Sequence, residues 1–148
     1  MAKRMDAETV MKLGCKDAIK IAKSNEVDLD FSDESIKKVE KMLGELHREY
    51  KKTKDETGLY GIAVMFGSYI GEVIRKKGLG GTWKRDHPDV GEDSFPFDWN
   101  GTTIFPAGWC YKRMVDGKGD DVWFKYQALV MKSIPTKQIV VTPKKRRS

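Results

Sequence analysis

The stretch LYGIAVMFGSYIGEVIRKK, Leu59 to Lys77, decides the fold. Leu59, Ile62, Ala63, Phe66, Ile70, Val73 and Ile74 recur at helical spacing and make a wide apolar face. Gly61, Gly67, Ser68 and Gly71 interrupt it with small residues. Glycine costs about 1 kcal/mol relative to alanine inside a helix, so several in one helix imply that other elements approach its backbone. Gly67 and Gly71 stand in G-x-x-x-G spacing, and the apolar run from Leu59 to Gly71 is too short to span a bilayer, so close packing is the reading. The pattern predicts a central, most buried helix over about 58–77. Gly78, Gly80 and Gly81 end it. A phosphate-binding glycine loop follows a strand and opens a helix; here the order is reversed, so the glycines read as a helix end and tight turn.

Toward the N-terminus, Met11, Cys15, Ala18 and Ala22 share one face of a helix over 7–24, with Gly14 and Ile21 beside them. Ser32 is a good N-cap, and Asp33 and Glu34 suit the positive end of a helix dipole. Ile36, Val39, Leu43, Leu46 and Tyr50 then form a heptad stripe too short for a coiled coil, which predicts an antiparallel partner within the chain. Toward the C-terminus the helical period disappears from Thr82 onward, and Pro88, Gly91, Pro96, Gly101, Pro106 and Gly108 punctuate the chain. Short strands are expected at 82–85, 102–105 and 109–115, with Pro106-Ala107-Gly108 turning between the last two. Asp120 is the expected cap of a final helix through Val122, Tyr126, Leu129 and Val130, and Ile139–Val141 could add an edge strand. The expectation is one α+β domain: a mainly helical half over 5–80, a small antiparallel sheet and last helix over 81–142, and a disordered basic tail over 143–148.

The 148 residues carry 28 Lys and Arg against 22 Asp and Glu, a net charge of +6. By position, the excess is terminal. Lys3, Arg4, Lys144, Lys145, Arg146 and Arg147 supply it, and residues 5–143 hold 22 charges of each sign. Nucleic-acid affinity is therefore expected only weakly, through the tail, and deleting residues 144–148 should nearly abolish any binding to DNA or RNA in a salt-dependent assay. Cys15 and Cys110 are too few and too far apart in the sequence for a disulfide framework or a C-x-x-C site. The N-terminal MAKRMDAETV has no apolar signal core, so a reducing, cytoplasmic setting without membrane association is expected.

Candidate chemistry concentrates at 83–101. Asp86, Asp89, Glu92, Asp93 and Asp98 surround His87, and no Lys or Arg lies within 86–98. Such a set could hold a cation, but its spacing matches no standard site. The loop from Asp116 to Asp120 resembles the start of an EF-hand, yet Lys118 stands at a ligand position and Gln127 where the bidentate Glu belongs. Asp86-His87 could orient an imidazole toward Ser94 or Cys110, though no nucleophile-elbow motif is present. His47, beside the apolar stripe of its helix, reads as a structural histidine. The basic block Arg75, Lys76, Lys77, Lys84 and Arg85, with Trp83 inside it, directly precedes the acidic block, which could neutralise it by folding back. Phe95, Phe97, Trp99, Phe105 and Trp109, aromatics of a long loop over 86–109 rimmed by charge, fit a protein-recognition surface, or fold over the sheet as its core cover; the two readings can coexist. Trp83, Arg85, His87, Asp89, Asp98 and Trp99 are the candidate residues of the recognition surface. Glu72 could pair with Arg75 on its own helix or, partly buried, with Arg113; that second, structural pair would tie helix to sheet.

The run Gly67-Ser-Tyr-Ile-Gly-Glu-Val-Ile-Arg75, then Gly80-Gly-Thr-Trp83, then Lys112-Arg113 with Gly117, resembles a group of small bacterial domains of unknown function. Their shared pattern is a G-x-Y-x-G-E-x-x-R helix, a G-G-x-W strand and a K-R-x-x-x-G strand end. The resemblance covers about residues 58–131. It implies helices packed on a small antiparallel sheet and, by loose association, a toxin-immunity role. Together these features favour a non-enzymatic protein-binding module, with no cofactor, that uses the acidic aromatic loop at 84–101. The alternative is a small metal-dependent or hydrolytic enzyme built on His87 and its neighbouring acids.

Overall fold

Side chains start the first two helices, Ser32 as its capping pattern predicts and Asp6 without having been expected. In the computed structural model, which describes residues 4–132, Asp6 accepts from the Thr9 amide and opens α1 (Ala7–Ser24). Ser32 accepts from the Ser35 amide and opens α2 (Asp33–Thr53). Both are N-caps that satisfy an orphan backbone donor. The central helix α3 (Leu59–Ile74) runs on through a π-type turn, Arg75–Leu79, inside which Gly78 turns left-handed with φ 82°. β1 (Thr82–Trp83), β2 (Phe97–Trp99) and β3 (Thr102–Ile104) form an antiparallel sheet in that order, with Trp83 opposite Phe97 and Phe97 opposite Ile104. α4 (Pro106–Asp116) and α5 (Val122–Tyr126), the latter extended by a turn at Gln127–Met131, complete an α+β fold.

α3 lies between α1 and α4, and α2 packs on α4 and α5. Phe66, Tyr69, Ile70, Val73 and Ile74 are buried along it, as are Met11, Ala18 and Ala22 of α1 and Ile36, Val39 and Leu43 of α2. The small residues of α3 do what their spacing implies. A Cβ on Gly67 would stand 2.5 Å from the Ala107 amide nitrogen, so the backbone of α4 rests directly on α3. A Cβ on Gly71 would overlap the Trp83 ring, so the first strand lays its indole on the next turn of the same face.

Several expectations are corrected. Residues 109–115, expected as a strand, are the body of α4, and Pro106-Ala107-Gly108 is not a hairpin turn but its first turn, with Pro106 where a missing N–H costs nothing. The buried set Ala107, Cys110 and Met114 has a helical period that the surrounding aromatics disguise. β2, not expected as a strand, pairs between the other two. Asp121, not Asp120, caps α5 by accepting from the Phe124 amide. Ile21, expected near the buried face of α1, is exposed.

The Glu72–Arg113 pair does not form. Arg113 is buried and donates from Nε to Glu40 of α2 at 2.7 Å, and Glu40 also accepts from the Val122 amide at 2.9 Å. Because 109–115 is a helix, Arg113 faces α2 rather than a sheet. The pair joins α2, α4 and the start of α5 at one buried point. Gly44 leaves the space for it, since a Cβ there would sit 2.8 Å from an Arg113 guanidinium nitrogen. Residues 139–141 and the basic tail lie outside the described residues.

Overpacking a close helix contact costs about 1–3 kcal/mol. Gly67→Ala should therefore lower the urea midpoint of unfolding markedly. Gly61 is an exposed helical position where an added Cβ would meet nothing within 4 Å. Alanine there should instead stabilise by up to about 1 kcal/mol.

Candidate functional site

The loop that links β1 to β2 closes its own charges. Arg85 donates to Asp93 at 2.8 Å, and Lys84 lies 3.6 Å from Asp98. Arg4, ahead of α1, reaches both Asp86 at 3.1 Å and Asp93 at 3.0 Å. Asp86 is held below the usual carboxylate range, first by the Asp93 amide that donates to it and then by the Arg4 guanidinium. The basic block upstream is paired as well: Lys77 contacts Asp33 at 2.8 Å, and Arg75 contacts Glu8 at 2.6 Å and Glu72 at 3.3 Å. The acidic segment thus neutralises Lys84 and Arg85 by folding back on them.

The six candidate recognition residues separate into two groups. Trp83 and Trp99 are only 3% and 5% exposed, and Phe95 and Phe97 are buried with them, so these aromatics form the underside of the loop rather than a partner surface. A loop above such short strands has little else to bury, and aromatic rings supply most of the apolar area. Trp83 also spends its indole N–H on Glu72 and its backbone N–H on Glu8. Arg85 is largely covered, donating to Asp93 and to the Met5 carbonyl. Asp98 is half-buried and accepts from Thr103. Asp89 is exposed.

His87 is placed by structure-building contacts. Its Nδ1 accepts from the Asp89 amide at 3.0 Å, which puts the neutral ring's proton on Nε2, and its ring meets Phe105 edge-on at 5.3 Å. Ser94 Oγ accepts from the His87 amide and donates to the Gly91 carbonyl at 2.7 Å, so it faces backbone rather than the imidazole. Burial pushes the Cys110 thiol far up, and pushes Cys15 up to about 11 with help from Glu72. Among the described residues, no three His, Cys, Asp or Glu side chains converge on a point that could hold a metal.

Beside this loop lies a groove of about 490 Å³. Val90 and Phe95 of the loop line it together with Tyr60, Phe105, Trp109 and Tyr111. Tyr60 donates to the Asp93 carbonyl at 2.6 Å and meets Tyr111 edge-on at 5.9 Å, which fixes both rings. Tyr111 donates to Glu56 at 2.5 Å, and that carboxylate holds the phenol proton on, raising its pKa to about 12. Val90 is 58% exposed. Among the described residues the Trp109 indole N–H has no acceptor, and exposed Lys112 beside it has no ion pair.

No family model, curated protein or solved structure gives a match to this chain.

The groove includes none of the six recognition candidates, but Phe95, Phe105 and Trp109 are among the loop aromatics that the sequence offered for a recognition surface; Tyr60, Val90, Tyr111 and Lys112 are not. The signal lies in α4: once Ala107, Cys110 and Met114 are read as a helical stripe, Trp109 and Lys112 fall outside it, and a tryptophan off the buried stripe of a helix is what marks a surface. The motif residues of the bacterial resemblance serve the framework instead. Gly67 and Gly71 admit neighbours, Tyr69 donates to Ser35 and accepts from the Phe31 amide, Glu72 and Arg75 hold β1 to α1, and Arg113 reaches Glu40.

Asp86 binds its proton less readily folded than unfolded, so it contributes stability at pH values above its unfolded pKa, and that contribution is lost as the pH falls through its lower folded pKa. Acidification below about pH 4 should therefore release hydrogen-exchange protection at the Asp93 amide before α3 loosens. Asp86→Asn should produce the same local loss at neutral pH.

Proposed function

We propose that this chain is a non-enzymatic protein-binding module whose recognition surface is the aromatic groove beside the 84–101 loop. The observation that supports it most is the unspent Trp109 indole N–H, set among partly exposed aromatics and next to unpaired Lys112. Rings already fixed by hydrogen bonds lose little conformational freedom on binding, and Trp and Tyr dominate interface energetics. The occupant is a segment of a partner protein that inserts an apolar side chain between Val90 and Trp109. It carries a carboxylate to meet the indole N–H and the Lys112 ammonium. The 84–101 loop serves as a wall through Val90 and Phe95, with Asp89 and Glu92 exposed at its rim, rather than through Trp83 and Trp99. A hydrolytic role for His87 draws no support from its contacts, because Ser94 and the imidazole do not hydrogen-bond to each other. The toxin-immunity reading rests on the sequence resemblance alone.

Selection from a random peptide display library gives the test. Selected peptides should pair an apolar residue with Asp or Glu. Trp109→Ala should weaken the best of them about 30-fold, as expected for loss of a hot-spot tryptophan worth about 2 kcal/mol. Lys112→Glu should reverse the acidic preference. Peptides that bind Trp109→Ala as tightly as the parent protein would overturn the assignment.

A further inference from the structure

Residues of α1 and the end of α3 line a second, open cavity of about 580 Å³, within the range of small-molecule sites. Its charges do not cancel. Glu8 and Glu72 are spent on Arg75 and Trp83, which leaves Lys12, Lys16 and Lys76 on its walls without a carboxylate partner among the described residues. Lys12 and Lys16 are one helical turn apart on the same face of α1, and both are exposed. Arg75 is pinned by its two carboxylates, and its buried Nε has no acceptor among the described residues.

An aromatic ring is presented to these cations. Phe31 has φ 66°, a left-handed conformation that a bulky side chain seldom adopts. The hydroxyl of Tyr69 holds it there by accepting from the Phe31 amide at 2.7 Å. The Tyr69 ring stacks on Phe31 at 5.1 Å, and the Lys76 ammonium lies over the Phe31 ring at 4.8 Å. Lys76 is exposed and sits on a flexible stem, so a flat ring can take its place over Phe31 and free the ammonium to meet the same ligand's anionic group. Ile19 and the protonated Cys15 thiol supply apolar wall.

We infer that this cavity binds a small organic anion in which an aromatic ring is joined to phosphate or carboxylate groups. The ring stacks on Phe31, and Lys12, Lys16 and Lys76 take the anion. No bond is made or broken. The site is separate from the Trp109 groove, so neither reading depends on the other.

Adenosine triphosphate, inorganic triphosphate and adenosine, titrated without metal into 15N-labelled protein, separate ring from charge. The nucleotide should bind saturably, shift the amides of Lys16, Phe31 and Lys76, and bind more tightly than inorganic triphosphate. Lys12→Ala/Lys16→Ala should weaken it roughly tenfold or more, as for loss of charge-assisted contacts. Phe31→Asn keeps a residue that tolerates positive φ and removes the ring, so it should erase the preference for nucleotide over inorganic triphosphate. The melting temperature of each variant confirms that it is folded. Equal binding of inorganic triphosphate and nucleotide by the parent protein would overturn the inference. So would unsaturable shifts. Tighter binding of a single-stranded oligonucleotide, with shifts running along α1 to Lys20 and Lys23, would replace it with a nucleic-acid surface.

Discussion

The rest of the structure depends on how closely other elements approach one face of α3. At Gly67 the backbone of α4 touches that of α3, and one turn later Gly71 receives the Trp83 indole. Side chains cannot provide this contact, because any Cβ at either position would occupy the space. The approach sets the distance of α4, and α4 in turn carries Arg113 to Glu40 and so fixes α2 and the start of α5. The indole sets the height of β1, and β1 positions the sheet. A buried ion pair such as Arg113–Glu40 contributes little net stability, since desolvation offsets attraction, but removing either partner leaves a costly unpaired charge. Its role is to admit one arrangement of three helices and penalise the others.

Much of this was legible in the sequence, and the reasons are local. The cap at Ser32, the apolar stripes of α1 and α2 and the glycine spacing of α3 are short-range signals, readable within one or two turns. The α+β class follows from them together with the loss of helical period after Thr82. What was misread needs contacts distant in sequence. Residues 109–115 have enough aromatics to pass for a strand, and these disguise the helical period of Ala107, Cys110 and Met114 until the packing of α4 against Gly67 is seen. Glu40 and Arg113 are 73 residues apart, and no periodicity links them. Whether a loop aromatic faces in or out depends on how much apolar area the elements beneath it leave uncovered. Here the three-stranded sheet is so small that Trp83, Phe95, Phe97 and Trp99 are needed to complete the core. The aromatic recognition residues expected from sequence therefore lie in the loop's own core, on the side turned away from solvent.

Charge shows the same shift from total to arrangement. Nearly every basic residue between Arg75 and Arg85 meets an acid, and most of those pairs are partly exposed, where each contributes about 0–1 kcal/mol and fades with salt. Their effect is geometric, keeping the β1–β2 loop against the N-terminal segment through Arg4. The unpaired lysines of α1 stand out only against that background. The two grooves differ accordingly: one is aromatic with two lysines in its lining, of which Lys125 is paired with Asp120, the other cationic around a single aromatic ring.

The two thiols sit on opposite neighbours of α3, Cys15 on α1 and Cys110 on α4, and both are buried. Cys110 is out of reach while α4 is docked and becomes reactive only when that helix lifts away, whereas Cys15 also lines the cavity beside α1. The chain thus carries a natural stopwatch in its α4 layer. The modification rate of the Cys110 sulfur in native buffer would report how often that layer parts from the central helix.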